Sequence, residues 1–140
     1  MAFTAWNSKR SSSAPHYPCT LPLGIDDCGD STFIDQTSDA SPPVADCQGI
    51  INNIQHTDGE WEVENAVENQ HQLVQYGECK FGVRGTVING NIDFHVGSQD
   101  IVDIITSAIQ MYGGGGKVGA KGTMSCRGTV KGQAVEWGLY

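Results

Sequence analysis

The stretch that decides the fold runs from Ser98 to Cys126 and reads SQDIVDIITSAIQMYGGGGKVGAKGTMSC. In its first half, apolar residues recur three and four positions apart, which predicts an amphipathic helix over Ser98–Tyr112. Gly113–Gly116 should end that helix, and Lys117–Cys126 should form a strand after it. The apolar stripe of the helix consists of Ile101, Ile104, Ile105, Ala108, Ile109 and Tyr112.

A second helix is predicted upstream, over Pro42–Gln55. Ser41 suits the N-cap and Pro42 the first helical position, because that position needs no backbone N–H donor. The residues that follow place one apolar face at helical spacing, and Cys47 lies on that face. The face is formed by Val44, Cys47, Ile51 and Ile54.

The remaining segments predict short strands. Trp61 and Val63 alternate with glutamates, as expected of a half-buried strand. Gly77-Glu78 separates two apolar runs and indicates a hairpin. With both helices covering the apolar face of such strands, we expect an α+β fold, a two-layer sandwich whose largely antiparallel sheet has about five strands. The predicted strands lie near residues 61–63, 73–76, 79–83, 92–96, 117–126 and 134–140.

The chain has 140 residues, enough for one domain. Residues 1–27 carry Ser, Pro and Asp without periodicity, so we expect a disordered leader that the fold does not need. Residues 28–140 should form one disulfide-stabilised domain. Met1–Arg10 has no apolar core and is therefore not a signal peptide.

Charge and cysteine usage limit the partners and the compartment. Sixteen acidic and eight basic residues give a net charge of −8, which opposes binding to nucleic acid and to anionic lipid. No apolar run approaches the roughly 20 residues of a membrane span. Five cysteines are widely spread and form no CxxC pair, a pattern that fits an oxidising compartment outside the cell.

None of the candidate catalytic or ligand-binding motifs specifies a site. The acidic groups could supply a glycosidase pair, but they are better explained as a helix start and a polar strand face. The glycine loop before Lys117 follows a helix instead of a strand, so it is not a dinucleotide or phosphate loop. The histidines lack metal-ligand spacing and are expected to be solvated. We therefore expect no catalytic, metal or cofactor residues. The acidic groups are Asp26-Asp27, Glu60/Glu62/Glu64 and Asp100/Asp103, and the histidines are His16, His56, His71 and His95.

Several motifs follow one another in a distinctive order. They are Cys28-Gly29-Asp30-Ser31-Thr32-Phe33, Ser41-Pro42, Asp46-Cys47, Gly77-Glu78-Cys79-Lys80-Phe81-Gly82-Val83, Gly97-Ser98-Gln99-Asp100-Ile101, Gly116-Lys117-Val118-Gly119-Ala120-Lys121-Gly122 with Met124 and Cys126, and Trp137-Gly138-Leu139-Tyr140. Together they resemble the fungal necrosis-inducing factor family, which comprises homologues of a secreted leaf-mould effector. More remotely, the chain is similar to the virally encoded killer toxin of smut fungi. The resemblance implies secretion, an effector or virulence role, and an antiparallel sandwich with two helices. It carries over no catalytic residue.

The four cysteines in the family-like region allow three pairings. Cys47 faces inward from the first helix and Cys79 begins a central strand, so these two can meet. We therefore predict Cys47–Cys79 together with Cys28–Cys126. Cys19 would then remain on the leader, either free or bridging two chains, so the protein is a monomer or a Cys19-linked dimer.

Three functions compete. The first is a secreted effector or virulence factor, capable of inducing necrosis, that binds an extracellular or membrane target of host or competitor cells. A variant of it is a killer-toxin-like growth inhibitor. The second is a small cell-wall hydrolase, which needs a cleft with perturbed carboxylates. The third is a glycan-binding module, which needs exposed aromatic residues in a row. The sequence favours the first function, without enzymatic activity.

Overall fold

The computed structural model describes residues 27–55, 59–63, 71–86, 93–128 and 133–140. These ranges contain seven strands, two α-helices and one 3₁₀ turn. In chain order they are β1 (Ile34–Asp35), α1 (Val44–Ile54), β2 (Glu60–Val63), β3 (His71–Tyr76), β4 (Cys79–Gly85), β5 (Phe94–Gly97), α2 (Ser98–Tyr112), the 3₁₀ turn (Gly113–Gly115), β6 (Ala120–Cys126) and β7 (Gln133–Leu139).

Five strands form the main sheet in the order β1-β6-β7-β4-β3, and β2 pairs with β5 in a separate two-stranded sheet. All of these pairings are antiparallel. The two helices pack against each other, and α1 also contacts β3 and β4. The predicted fold class, an α+β sandwich with a largely antiparallel sheet, is confirmed. No helix in the described ranges is long and apolar enough to cross a bilayer.

The helix α2 occupies the predicted range, but α1 begins later than predicted. Its N-cap is Pro43, which has an extended backbone conformation, and its first helical residue is Val44. Pro42 cannot begin the helix because a residue that precedes a proline is sterically disfavoured from the helical region. The hydroxyl of Ser41 does not cap the helix either; it accepts the backbone N–H of Ser38 instead.

The sheet buries one face because its central strands alternate strictly. In β6 every second residue from Ala120 is buried and the residues between are exposed, and in β7 buried residues alternate with exposed or half-buried ones. The buried side chains meet those of both helices in one core. Its largest fully buried members include Phe81, Phe94, Ile50, Ile101, Ile105 and Leu139.

The β3–β4 hairpin holds α1 in place. Gly77 has a φ of +56°, a conformation that favours glycine, and a Cβ there would also collide with the carboxylate of Asp46. That carboxylate accepts the backbone N–H of Glu78 at 2.9 Å. The adjacent disulfide Cys47–Cys79 joins the same helix to the start of β4. The hairpin and α1 are thus linked by a covalent bond and by a hydrogen bond.

The second disulfide joins Cys28 to Cys126, 98 positions apart. The two pairs in the structure are those named from the sequence. Asp27, which the sequence analysis assigned to the leader, belongs to the folded part, since its backbone N–H and carbonyl are both hydrogen-bonded to it. The rest of the predicted leader, including Cys19, lies outside the described residues.

Gly122, in the middle of β6, is a point where a methyl group should be costly. A Cβ there would overlap the backbone carbonyl of Thr32 and press on the indole of Trp137. Because the obstacle is backbone, it cannot move away as a flexible side chain would. We expect Gly122→Ala to lower the free energy of unfolding by about 3 kcal/mol, the upper part of the usual range for overpacking.

Urea denaturation followed by circular dichroism measures this effect. Ser125→Ala, on the exposed face of the same strand, is the matched control and should change stability by less than about 0.5 kcal/mol. Equal stabilities of Gly122→Ala and Ser125→Ala would contradict the close approach of the Ser31–Phe33 segment to β6.

Candidate functional site: the ionic cluster and the outer sheet face

The acidic groups noted in the sequence converge in one place. Asp27, Glu60 and Asp100 come from three separate parts of the chain, and they meet beside His95 and Arg127. We call these five residues the ionic cluster. Sequence spacing could not have indicated it, because the members lie up to 100 positions apart.

Asp100 is the buried anchor of the cluster. Its carboxylate accepts the backbone N–H of Gly97 at 2.8 Å, as expected of an acidic residue in the first turn of a helix. It also accepts the backbone N–H groups of Asp27 at 2.7 Å and of Cys28 at 3.2 Å. The expected role at the helix start is therefore only part of its role, since Asp100 also fixes the first folded residues against α2.

Arg127 links two carboxyl groups. Its Nε and Nη2 donate to Oδ1 of Asp27 at 3.1 and 2.9 Å, and Nη2 also donates to Oε2 of Glu60 at 2.7 Å. The Asp27 side chain is 4% exposed, whereas that of Arg127 is 60% exposed. The hydrogen bonds that Arg127 donates to Asp27, together with the negative charge of that carboxylate, raise the pKa of Arg127.

Glu60 and Asp27 form a close carboxyl pair. A hydrogen bond with Asp27, partial burial and the charge of Asp27 raise the pKa of Glu60 above its ordinary value of 4.5, and His95 and Arg127 only partly offset this. Oδ2 of Asp27 is buried and accepts no hydrogen bond from the N–H and O–H groups of the described residues.

His95 is not the solvated side chain that the sequence predicted. It lies on β5 with a side chain that is largely covered, and its Nδ1 is 3.7 Å from Oε1 of Glu60. That distance is too long for a hydrogen bond but close enough for charge interaction when the imidazole is protonated. The alternation along β5 placed His95 opposite Phe94 correctly, but β2 and Arg127 cover that side.

Stability should depend on pH through Glu60. Its raised pKa means that the folded state binds more protons than the unfolded state above pH 4.5, so stability contributed by protonated Glu60 is present at low pH and is lost as pH rises. Glu60→Gln stays neutral throughout. We therefore expect the melting temperature of Glu60→Gln to rise relative to wild type as pH increases from about 4.5 towards 7.

Glu78→Gln, exposed in the β3–β4 turn, is the control with the same chemical change and should show no such trend. Asp35 does not interfere, because hydrogen bonds from Thr37 lower its pKa below 3.8 and its effect therefore falls at lower pH. A melting-temperature difference for Glu60→Gln that stays constant from pH 4.5 to pH 7 would contradict the carboxyl pair.

The ionic cluster connects elements that are distant in the sequence. It joins the start of the fold, β2, β5, the first turn of α2 and the residue that follows β6. Within the described ranges, no group of three or more histidine, cysteine or acidic side chains is arranged to hold a metal ion.

The other candidate is the exposed side of the main sheet. We call it the outer sheet face and define it by the outward residues of β4, β6 and β7 together with Tyr140, whose backbone pairs with Lys80. Arg84 and Glu136 form an ion pair across it, and Gly82 lies opposite Gly138 at its centre. Its remaining members are Lys121, Thr123, Ser125 and Ala134.

The aromatic residues do not form a binding row. Trp137 is 3% exposed and belongs to the core, as predicted, and Trp61 is half-buried. Tyr140 is 42% exposed on the outer sheet face, but Tyr76 packs on Gly49 of α1 on the other side of the sheet. The described residues therefore lack the stacked aromatic platform of many glycan-binding modules.

The glycine loop ends α2, as predicted. Gly113 contacts Val44 and Ile109, and Gly116, with a φ of +96°, accepts the backbone N–H of Val44 through its carbonyl. It joins α2 to β6 and to the start of α1.

Comparison with known proteins places the chain in a family. The Hce2 family, described as "Pathogen effector; putative necrosis-inducing factor", matches residues 27–126. The chain belongs to this effector family. The matched region contains both disulfides and every member of the ionic cluster except Arg127, and it ends before β7.

Two curated relatives from Penicillium expansum match the whole chain. One, "Probable chitinase LysM18", is 43% identical over 142 residues, and the other, "Secreted chitinase LysM12", is 35% identical over 147 residues. The chain spans about a tenth of the length of each of these relatives.

Proposed function

We propose that the chain is a non-catalytic domain that a fungus secretes and that acts by binding a target on host or competitor cells. The observation that carries the proposal is the effector-family match across residues 27–126. Two disulfides support export, because such bonds persist outside the cell, and one relative is itself named as secreted. The outcome of binding is necrosis of host tissue, or growth inhibition of a competitor.

The carboxyl pair argues against hydrolysis. Glycosidases hold their two carboxyl groups about 5 Å apart or more, so that a sugar bond or a water molecule fits between them. In Asp27 and Glu60, by contrast, both carboxyl groups bind the same nitrogen of Arg127, Nη2, at 2.9 and 2.7 Å. The guanidinium therefore already engages both carboxyl groups, which supports a structural role for the pair.

A second candidate rests on the names of the relatives. Both are called chitinases, and this chain matches about a tenth of each. The chain would then be an accessory domain that brings a chitin-degrading protein to a cell wall. Binding would again be its role, with the wall as the target.

The test applies the purified, oxidised protein to leaf tissue and to growing fungal hyphae. Ion leakage and hyphal extension are measured, and release of reducing sugars from chitin, glucan and pectin is measured in parallel. Cell death or growth arrest without sugar release supports the proposal. Sugar release that depends on the folded protein would overturn it in favour of an enzyme.

A further inference from the structure

The charges of the chain are strongly segregated. Twelve acidic and five basic side chains lie in the described ranges. Three of the five basic ones, Lys80, Arg84 and Lys121, lie on the outer sheet face, where the only described acidic side chain is Glu136. That face therefore carries a charge of +2, whereas the rest of the described part carries eleven acidic against two basic side chains.

The two lysines of the outer sheet face are left without a partner carboxylate there. Arg84 is neutralised by its ion pair with Glu136. Lys121 on β6 is opposite Gly138 on β7, and Gly138 is opposite Gly82 on β4. Lys80 lies on β4, two residues from Gly82. Strand spacing and rise place the Cα atoms of Lys80 and Lys121 about 12 Å apart. A ligand that meets both charges is therefore longer than a single sugar ring.

The surface between the lysines is polar. Gly138 carries no side chain and is half-buried between Tyr140 and the Arg84–Glu136 pair, whereas Gly82 beside it is buried. Hydroxyl groups continue the surface towards β1, where Thr123 and Thr32 are hydrogen-bonded at 3.0 Å. A ring face, hydroxyls and ammonium groups are the partners that a carboxylated sugar chain requires.

We propose that the outer sheet face binds an anionic polysaccharide built of uronic acid units. The proposal rests on the proposed function, since it names the chemistry of the bound target. Lys80 and Lys121 bind carboxylates of the polymer, and Tyr140 packs against a sugar ring.

Ring contacts and hydroxyl groups distinguish this ligand from other polyanions. The net charge of −8 repels every polyanion at long range, a polyuronate included, so binding depends on contacts at the outer sheet face itself. Tyr140 and the hydroxyl groups of Thr32 and Thr123 offer such contacts to a sugar chain. Neutral chitin makes no use of the two lysines.

The test measures binding of the full, oxidised chain to polygalacturonate in 50 mM salt by calorimetry. Lys80→Gln/Lys121→Gln is expected to weaken binding at least tenfold. Lys117→Gln is the single-charge control away from the outer sheet face, and Lys9→Gln/Lys117→Gln matches the double variant in charge without replacing a residue of that face. Melting curves establish that each variant is folded.

Tenfold weakening that is confined to the Lys80/Lys121 variant supports the proposal, as does loss of binding when the polymer is methyl-esterified. Equal weakening in both double variants would mean non-specific charge attraction and overturns it. No binding to polygalacturonate, stronger binding to chitin oligomers, or equal binding to phosphatidylserine vesicles overturns it as well. If one of these binding results is obtained and the protein still kills leaf tissue or arrests hyphae, the proposed function is retained and only the uronate site is rejected.

Discussion

Removing the Cys28–Cys126 disulfide is expected to destabilise the protein by up to about 4.7 kcal/mol, the chain-entropy value for a loop of roughly 100 residues. The bond closes a loop with a sequence separation of 98, from the first folded residues to the end of β6. For a domain of this size such a loss lowers the melting temperature by roughly 15–20 °C. The measurement is thermal unfolding of Cys28→Ser/Cys126→Ser against wild type.

Both cysteines are replaced together so that neither is left to pair with Cys19. Cys19→Ser is the matched control, and it should leave the melting temperature within about 2 °C of wild type. It should also abolish any disulfide-linked dimer. Equal melting temperatures for the double variant and wild type would show that the bond does not hold the start of the fold in place.

Trp137→Ala should cost about 3–5 kcal/mol, the range for removing a large aromatic side chain from a core. The indole lies between the rings of Phe33 and Phe81, with centroid distances of 5.4 and 6.0 Å. Its Nε1 donates to the hydroxyl of Ser31 at 2.6 Å. Trp137 thus joins the segment before β1 to the centre of the sheet, and its loss leaves a cavity and removes one of the two hydrogen bonds of the Ser31 hydroxyl.

Urea unfolding gives the free energy, and Trp137→Phe separates the contributions. Phenylalanine keeps most of the ring contact but cannot donate to Ser31, so it should cost less than half as much as alanine. Trp61→Ala, at a half-buried position in the two-stranded sheet, should also cost less. A smaller effect for Trp137→Ala than for Trp61→Ala would contradict the placement of Trp137 in the core.

The sequence predicted those parts of the fold that depend on neighbouring residues. The apolar spacing of Ser98–Tyr112 and the alternation in β6 and β7 are local patterns, and a buried face imposes them directly. The start of α1 was misplaced because two successive prolines compete for the first helical position. Pro43 sterically disfavours the helical conformation at Pro42, and this effect outweighed the preference of proline for the first helical position.

The ionic cluster depends on contacts between distant segments, which no local pattern records. Asp100 was recognised as a residue of the helix start, but its hydrogen bonds to Asp27 and Cys28 depend on how the chain returns to α2. Similarly, the charge of the outer sheet face emerges only when β4, β6 and β7 are adjacent. The composition predicts an acidic protein, but only the strand order shows that one of its faces is basic.

The position of β7 has a consequence for the order of folding. β7 lies between β4 and β6, and those two strands are not paired with each other. During synthesis the main sheet therefore remains in two halves until Gln133–Leu139 has emerged and inserted between them. Until β7 pairs with both of them, β4 and β6 each present an unpaired edge.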